Sequence, residues 1–140
     1  MTHVPNGLLF KRIHDSLEKR ANHELRPKDL TMMQVSVLMT LRESPEKQLS
    51  MKEIERHFQV AQSTVAGIVA RLEKKGFIEA TGDRSDRRIK LVRLTAEGEI
   101  CCKEAETHMH EAEGLLLHGF TEEEKTMLHA LLTKVANNVR

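Results

Sequence analysis

The chain has 140 residues, 39% of them hydrophobic and 31% charged, with 22 Lys and Arg against 21 Asp and Glu for a formal net charge of +1. That length builds one domain, or two lobes sharing helices, around a proper core. No apolar run approaches the roughly 18–20 residues that span a bilayer, and the opening stretch MTHVPNGLLFKRIHDS has neither a long apolar segment nor a small-residue cleavage site, so a cytoplasmic protein is expected.

The first predicted element is a helix over residues 8–25, with Phe10, Ile13, Leu17 and Ala21 on one face and Pro27 closing it. Thr31 opens a second helix. With Gln34 it forms a capping box, in which each side chain satisfies a backbone N–H of the first turn. Met33, Val37 and Leu41 follow at helical spacing, and Ser44-Pro45 ends the helix. Ser50 with Glu53 repeats the box and starts a short helix facing inward through Met51, Ile54 and Phe58. The next helix spans residues 62–75. Its Val65, Ile68, Val69 and Leu72 stand at i, i+3, i+4 and i+7 and must pack inward, and Gly76 suits a left-handed C-cap.

Two short β-prone runs follow, residues 77–81 and 89–94, joined by GDRSDRR, whose Gly and Asp suit a turn. Thr95 caps a long helix to about His118. Its Cys102, Ala105, Met109, Ala112 and Leu116 alternate steps of three and four, as in a coiled-coil seam. Gly119 breaks it. Thr121 with Glu124 is a third capping box, and the last helix carries Leu128, Leu131, Leu132, Val135 and Val139. The outer helices, 1–30 and 95–140, carry apolar stripes that a monomer this small does not fully bury, so they are expected to dimerise. Residues 31–94 form the remaining lobe of a single protomer covering 1–140.

Charge is unevenly placed. Residues 71–93 hold eight Lys and Arg against four acids, whereas residues 99–124 hold eight acids and one base. A local basic patch binds phosphates while the whole chain stays near neutral. A helix followed directly by a basic hairpin touches double-stranded DNA twice, the helix in one groove and the hairpin tip in the next. Gln62, Ser63 and Thr64 lie on the first turn, opposite the apolar stripe, where Gln reads adenine and hydroxyls bond bases or phosphates. Arg84, Arg87 and Arg88 crowd the hairpin tip, and Asp83 and Asp86 beside them are able to hold an arginine by paired hydrogen bonds. Arg71, Lys74 and Lys75 are placed to meet phosphates or to sit solvated.

The run STVAGIVARLEKKGFIE (63–79), then DRSDRR (83–88), then LTAEGE (94–99) resembles the MarR family of winged-helix transcriptional regulators, and the resemblance covers essentially the whole chain. It implies a mainly α (α+β) fold: a winged helix-turn-helix with N- and C-terminal helices forming a dimerisation region. It implies a homodimeric repressor on a pseudo-palindromic operator, released by a small-molecule effector. It assigns Arg88 to minor-groove or phosphate contact, with Asp86 as its orienting partner. It further implies an effector cleft lined from the first, second and fifth helices, where His14, Leu17, Met33 and Val37 are candidates by position. Methionine adapts to varied shapes, so an apolar or aromatic ligand would suit.

Two positions depart from the family pattern. Ala61 stands where Ser or Thr often caps the recognition helix. Gly67 stands where a polar or basic residue is common, at a cost of about 1 kcal/mol against alanine inside a helix. Two readings compete for Gly67: close approach to a DNA groove, or close packing against a neighbouring helix.

A zinc- or redox-responsive regulator of the same fold is the alternative. His108 and His110, two apart on a helix, point in different directions; Glu104 and His108, four apart, are able to share a ligand, but solvated histidines and no metal or other cofactor are expected. Cys101 and Cys102 are adjacent and form no disulfide framework, which fits a reducing compartment. Cys102 falls on the apolar seam, and neighbouring acids oppose thiolate formation at Cys101. No phosphate-cradling loop, nucleophile elbow or HExxH is present, so an enzyme is not expected. With no Trp or Tyr and four Phe, base-stacking platforms for single strands are scarce.

Overall fold

A computed structural model describes residues 3–140. Its helices are α1 (Asn6–Leu25), α2 (Met32–Glu43), α3 (Met51–Phe58), α4 (Gln62–Lys74), α5 (Ala96–Leu116) and α6 (Glu122–Asn138). The strands are β1 (Gln48–Ser50), β2 (Ile78–Gly82) and β3 (Lys90–Leu94), and short 3-10 turns at Arg26–Lys28 and Pro45–Lys47 follow α1 and α2. The chain divides into two compact units, one ending at Glu106 and one running Thr107–Arg140.

All three expected capping boxes form, at Thr31–Gln34, Ser50–Glu53 and Thr121–Glu124. In each, the hydroxyl accepts the third-residue N–H and the third side chain accepts the cap N–H, satisfying two donors that helix geometry leaves free. The end of α4 is equally explicit. Gly76 takes φ +81°, its N–H donates to the Glu73 carbonyl at 2.9 Å, and the Phe77 N–H reaches back to Leu72 at 3.1 Å. This paired return is the Schellman arrangement, and it turns the chain from α4 into β2.

The sheet is antiparallel with order β1-β3-β2. Ile78 pairs with Leu94 and Gly82 with Lys90, which sets the hairpin register. Strand β1 pairs its Leu49 with Val92. Sequence periodicity missed β1: three residues, two of them polar, show no alternation, and the strand exists because β3 offers it an edge. The core of the first unit joins Val37, Leu38 and Leu41 of α2, Ile54 of α3, Val65, Val69 and Leu72 of α4, Ile78, Val92 and Leu94 of the sheet, and Cys101, Cys102 and Ala105 of α5.

Helix α5 is anchored to the hairpin at its start. The Thr95 hydroxyl donates to the Gly76 carbonyl at 2.6 Å and accepts the Gly98 N–H at 3.1 Å. A Cβ on Gly98 would collide with the Phe77 carbonyl and the Leu94 side chain, so only glycine lets α5 lie this close to the sheet.

The apolar seam of α5 splits. Cys102 and Ala105 are buried, but Met109 and Leu116 are exposed. No residue from 107 to 140 is buried, and Met127, Leu131, Leu132, Val135 and Val139 of α6 all face outward. Helix α1 likewise buries only Leu25 and exposes Leu8, Leu9, Phe10 and Ile13. Among the described residues, no helix is long and apolar enough to cross a membrane.

Candidate nucleic-acid interface

Helices α3 and α4 pack on each other across a three-residue turn, with Gln59 left-handed at φ +53°. This is a helix-turn-helix. Its second helix buries Val65, Val69 and Leu72 and half-buries Ile68, leaving Gln62, Ser63, Thr64, Ala66, Gly67, Ala70, Arg71 and Lys74 exposed. Ala61 is the N-cap and provides no side-chain acceptor. The first-turn N–H groups of Gln62 and Ser63 are therefore directed to water or to an anion, and the helix dipole favours the anion.

Gly67 has nothing within 4 Å of where a Cβ would stand. It does not pack against a neighbouring helix, so that reading of the glycine is corrected. Its backbone is bare on the outward face, between Ala66 and Ala70.

The hairpin β2–β3 projects the wing loop, residues 83–89. The Asp83 N–H donates to the Ile89 carbonyl at 2.8 Å, and the Ile89 N–H to Asp86 at 3.0 Å, closing the loop at its base. Asp86 grips Arg88 with both carboxylate oxygens, Oδ1 to Nε and Oδ2 to a terminal nitrogen, each at 3.1 Å. Oδ1 also accepts the Arg88 N–H at 3.0 Å. The Arg88 side chain, and then its backbone N–H, hold the Asp86 carboxyl below its ordinary value. Arg88 is nonetheless 91% exposed. A charged donor fork is thus fixed in orientation while facing solvent, and fewer rotamers need freezing when a phosphate or groove arrives. Arg84 and Arg87 are exposed on the same loop.

Charge pairing separates this lobe from the rest of the chain. Of the ten Lys and Arg from Lys52 to Arg93, only Lys75 and Arg88 join an ion pair among the described residues. Of the eight from Lys11 to Lys47, five are paired: Lys11, Arg20, Lys28, Arg42 and Lys47. Lys28, Arg42 and Lys47 meet Glu104, Glu106 and Glu99 of α5. Between 52 and 93, most cations are thus outside close ion pairs, and they outnumber the six acids of the same stretch.

Lys52 and Arg56 are two further cations that the sequence pattern did not single out. They stand four apart on exposed positions of α3, the helix that crosses the phosphate backbone in such motifs.

The other singled-out residues lie elsewhere. His14 is exposed and 3.3 Å from Glu18, Leu17 is half-buried and Met33 exposed. Val37 is closed in the core at 1% exposure, so a ligand meets it only if the core opens. Both thiols are buried, and burial raises both, Cys102 to about 11.

Comparison with known proteins agrees with this geometry. The sequence model of the MarR family matches residues 28–89. The apo MarR of E. coli superposes with a TM-score of 0.85 at 26% identity, over 96% of this chain and 98% of that one. An S. aureus MepR–DNA complex gives 0.82 at 26% identity, over 97% and 99%. A mutant E. coli MarR complexed with operator DNA gives 0.77 at 26% identity, over 94% of each chain. The chain matches MarR-family winged helix-turn-helix regulators by sequence over residues 28–89 and by fold across nearly its whole length. It has the fold of MarR-family DNA-binding transcriptional regulators.

Proposed function

We propose that this MarR-like chain binds double-stranded DNA as a homodimer in the cytoplasm and represses transcription from a pseudo-palindromic operator until a small organic effector releases it. The observation that carries the DNA contact is the Asp86–Arg88 fork at the end of a lobe whose other cations stay largely unpaired. The first turn of α4, through Gln62, Ser63 and Thr64, reads base edges in the major groove, with Gly67 letting the helix sit deep. Arg84, Arg87 and Arg88 reach the neighbouring minor groove or its phosphates. Arg71, Lys52 and Arg56 meet the backbone. The bound DNA of the MepR complex and of the E. coli MarR mutant complex supports the same use of this fold.

Dimerisation is supported by the apolar rows of α1 and of residues 107–140, which are exposed among the described residues. His14, Leu17 and Met33 are the effector contacts supported by exposure; Val37 would join them only after a rearrangement. The redox version has no support in the buried, raised thiols.

The test is selection from a random duplex pool, followed by Arg88→Ala. A symmetric duplex with half-sites about one helical turn apart is the expected product. R88A weakens binding to it and lowers the salt slope by about one. No enrichment of any duplex refutes DNA recognition, and an unchanged affinity in R88A removes the wing from it.

A further inference from the structure

The wing tip is built from the same device twice in six residues, DRS then DRR. Asp83 Oδ1 accepts the Ser85 N–H at 3.0 Å and the Ser85 hydroxyl at 3.1 Å. Asp86 Oδ1 accepts the Arg88 N–H at 3.0 Å. Each is an Asx turn, in which an aspartate side chain takes the backbone N–H two residues on and folds the chain over the residue between. Those middle residues are Arg84 and Arg87, both exposed and neither in an ion pair among the described residues. Whereas Asp86 also grips a guanidinium, Asp83 bonds only backbone and hydroxyl within the loop. Asp83 is half-buried at the loop base, where its own N–H is tied to Ile89.

We infer that Asp83 is a positioning residue for DNA binding: its carboxylate folds the tip so that Arg84 is displayed outward to the phosphates. The inference rests on the DNA-binding reading above and assigns a role to an acid whose charge alone would repel DNA. That opposition makes it testable. As a mere surface acid, Asp83 would hinder binding, and any neutral replacement would help. As a turn former it must keep its acceptor, and only the replacement that removes the oxygen does harm.

The experiment measures affinity for the duplex that the wild-type protein enriches from a random pool, across a salt series, for Asp83→Asn, Asp83→Ala and Ser85→Ala. D83N keeps an Oδ1 acceptor and drops the negative charge; it binds as tightly as wild type or tighter, with the wild-type salt slope. D83A loses the acceptor and binds roughly three- to tenfold more weakly, the equivalent of one hydrogen bond. Its salt slope falls by up to about one as Arg84 leaves the phosphates. S85A keeps the backbone bond to Asp83 and stays within about threefold of wild type. The loop lies outside the hydrophobic core, so thermal unfolding changes little in all three. D83A binding as well as wild type, or D83N losing as much as D83A, overturns the inference while the wild-type protein still binds its duplex. A wild-type protein that enriches no duplex takes the DNA-binding reading down, and this inference with it.

Discussion

Gly67 and Gly98 invite the same substitution with opposite results. Gly98→Ala places a methyl against the Phe77 carbonyl and the Leu94 side chain. The carbonyl is not free to retreat, because it accepts the Thr95 N–H at 3.1 Å, and the Thr95 hydroxyl is tied to Gly76 on one side and the Gly98 N–H on the other. Overpacking against a fixed backbone atom costs about 2–3 kcal/mol. Gly67→Ala adds its methyl to open space in the middle of α4. It gains the helix propensity of alanine and restricts the unfolded chain, for about 0.5–1 kcal/mol of added stability. For a chain of this size, each kcal/mol moves Tm by about 3–5 °C. G98A is therefore expected to melt about 6–15 °C lower and G67A about 2–5 °C higher. Circular dichroism melts at one protein concentration read this directly, since Tm of a dimer depends on concentration. On the enriched duplex, G67A should bind severalfold more weakly despite its higher Tm, because the new methyl stands on the face of α4 proposed to meet the groove. A G98A protein as stable as wild type would refute the packing argument. A G67A protein with unchanged affinity would remove Gly67 from the interface.

Three further outcomes follow from the same structure. Cys101 and Cys102 are buried with raised pKa values, so a thiol reagent at pH 7–8 should label native protein far more slowly than unfolded protein; fast native labelling would restore the redox reading. Glu53, accepting the Ser50 N–H and hydroxyl, is held below its ordinary value of 4.5. A depressed acid contributes stability above its unfolded pKa and loses it as pH falls through the folded one. Wild type should therefore lose more stability than Glu53→Gln as pH drops from about 5 to 3, and parallel curves would contradict this. Leu131 is 52% exposed on α6. Leu131→Asp, counted once per protomer, should weaken a symmetric dimer by about 3 kcal/mol or more, roughly a hundredfold in dissociation constant; sedimentation of wild type as a monomer at tens of micromolar would refute the dimer.

What was legible in the sequence was whatever depends on neighbours a few residues away. The three capping boxes, the Gly76 turn and the inward stripe of α4 are local chemistry, and each forms as read. The Asp86–Arg88 pair, two residues apart, was legible for the same reason. Strand β1 was not, because its existence depends on β3 some forty residues later. Nor was the need for glycine at 98, which comes from the carbonyl of Phe77 on another element. The stripe of α5 was legible as apolar, but not that it would be core as far as Ala105 and surface beyond. Gly67 was ambiguous because a bare helix position serves either tight packing or tight docking, and only coordinates tell whether a neighbour is there.

Net charge conceals how the charges of this chain are placed. At +1 the protein looks indifferent to nucleic acid, yet its acids are not spread to cancel its bases. Glu99, Glu104 and Glu106 of α5 neutralise Lys47, Lys28 and Arg42, all of which precede α3. Solvent-exposed pairs of this kind add little to stability, so their consequence is better sought in the field than in the fold. Each of these three acids is matched to a cation outside the helix-turn-helix and wing, which leaves the ten cations between Lys52 and Arg93 in excess over the six acids there, Glu53, Glu55, Glu73, Glu79, Asp83 and Asp86. Within a Debye length, about 8–10 Å in physiological salt, a compensated pair attracts an approaching phosphate little, while an excess of cations attracts it. A near-neutral chain thereby presents one lobe with a net excess of cations and avoids the self-repulsion that the same lobe would cause if the rest of the chain were basic too.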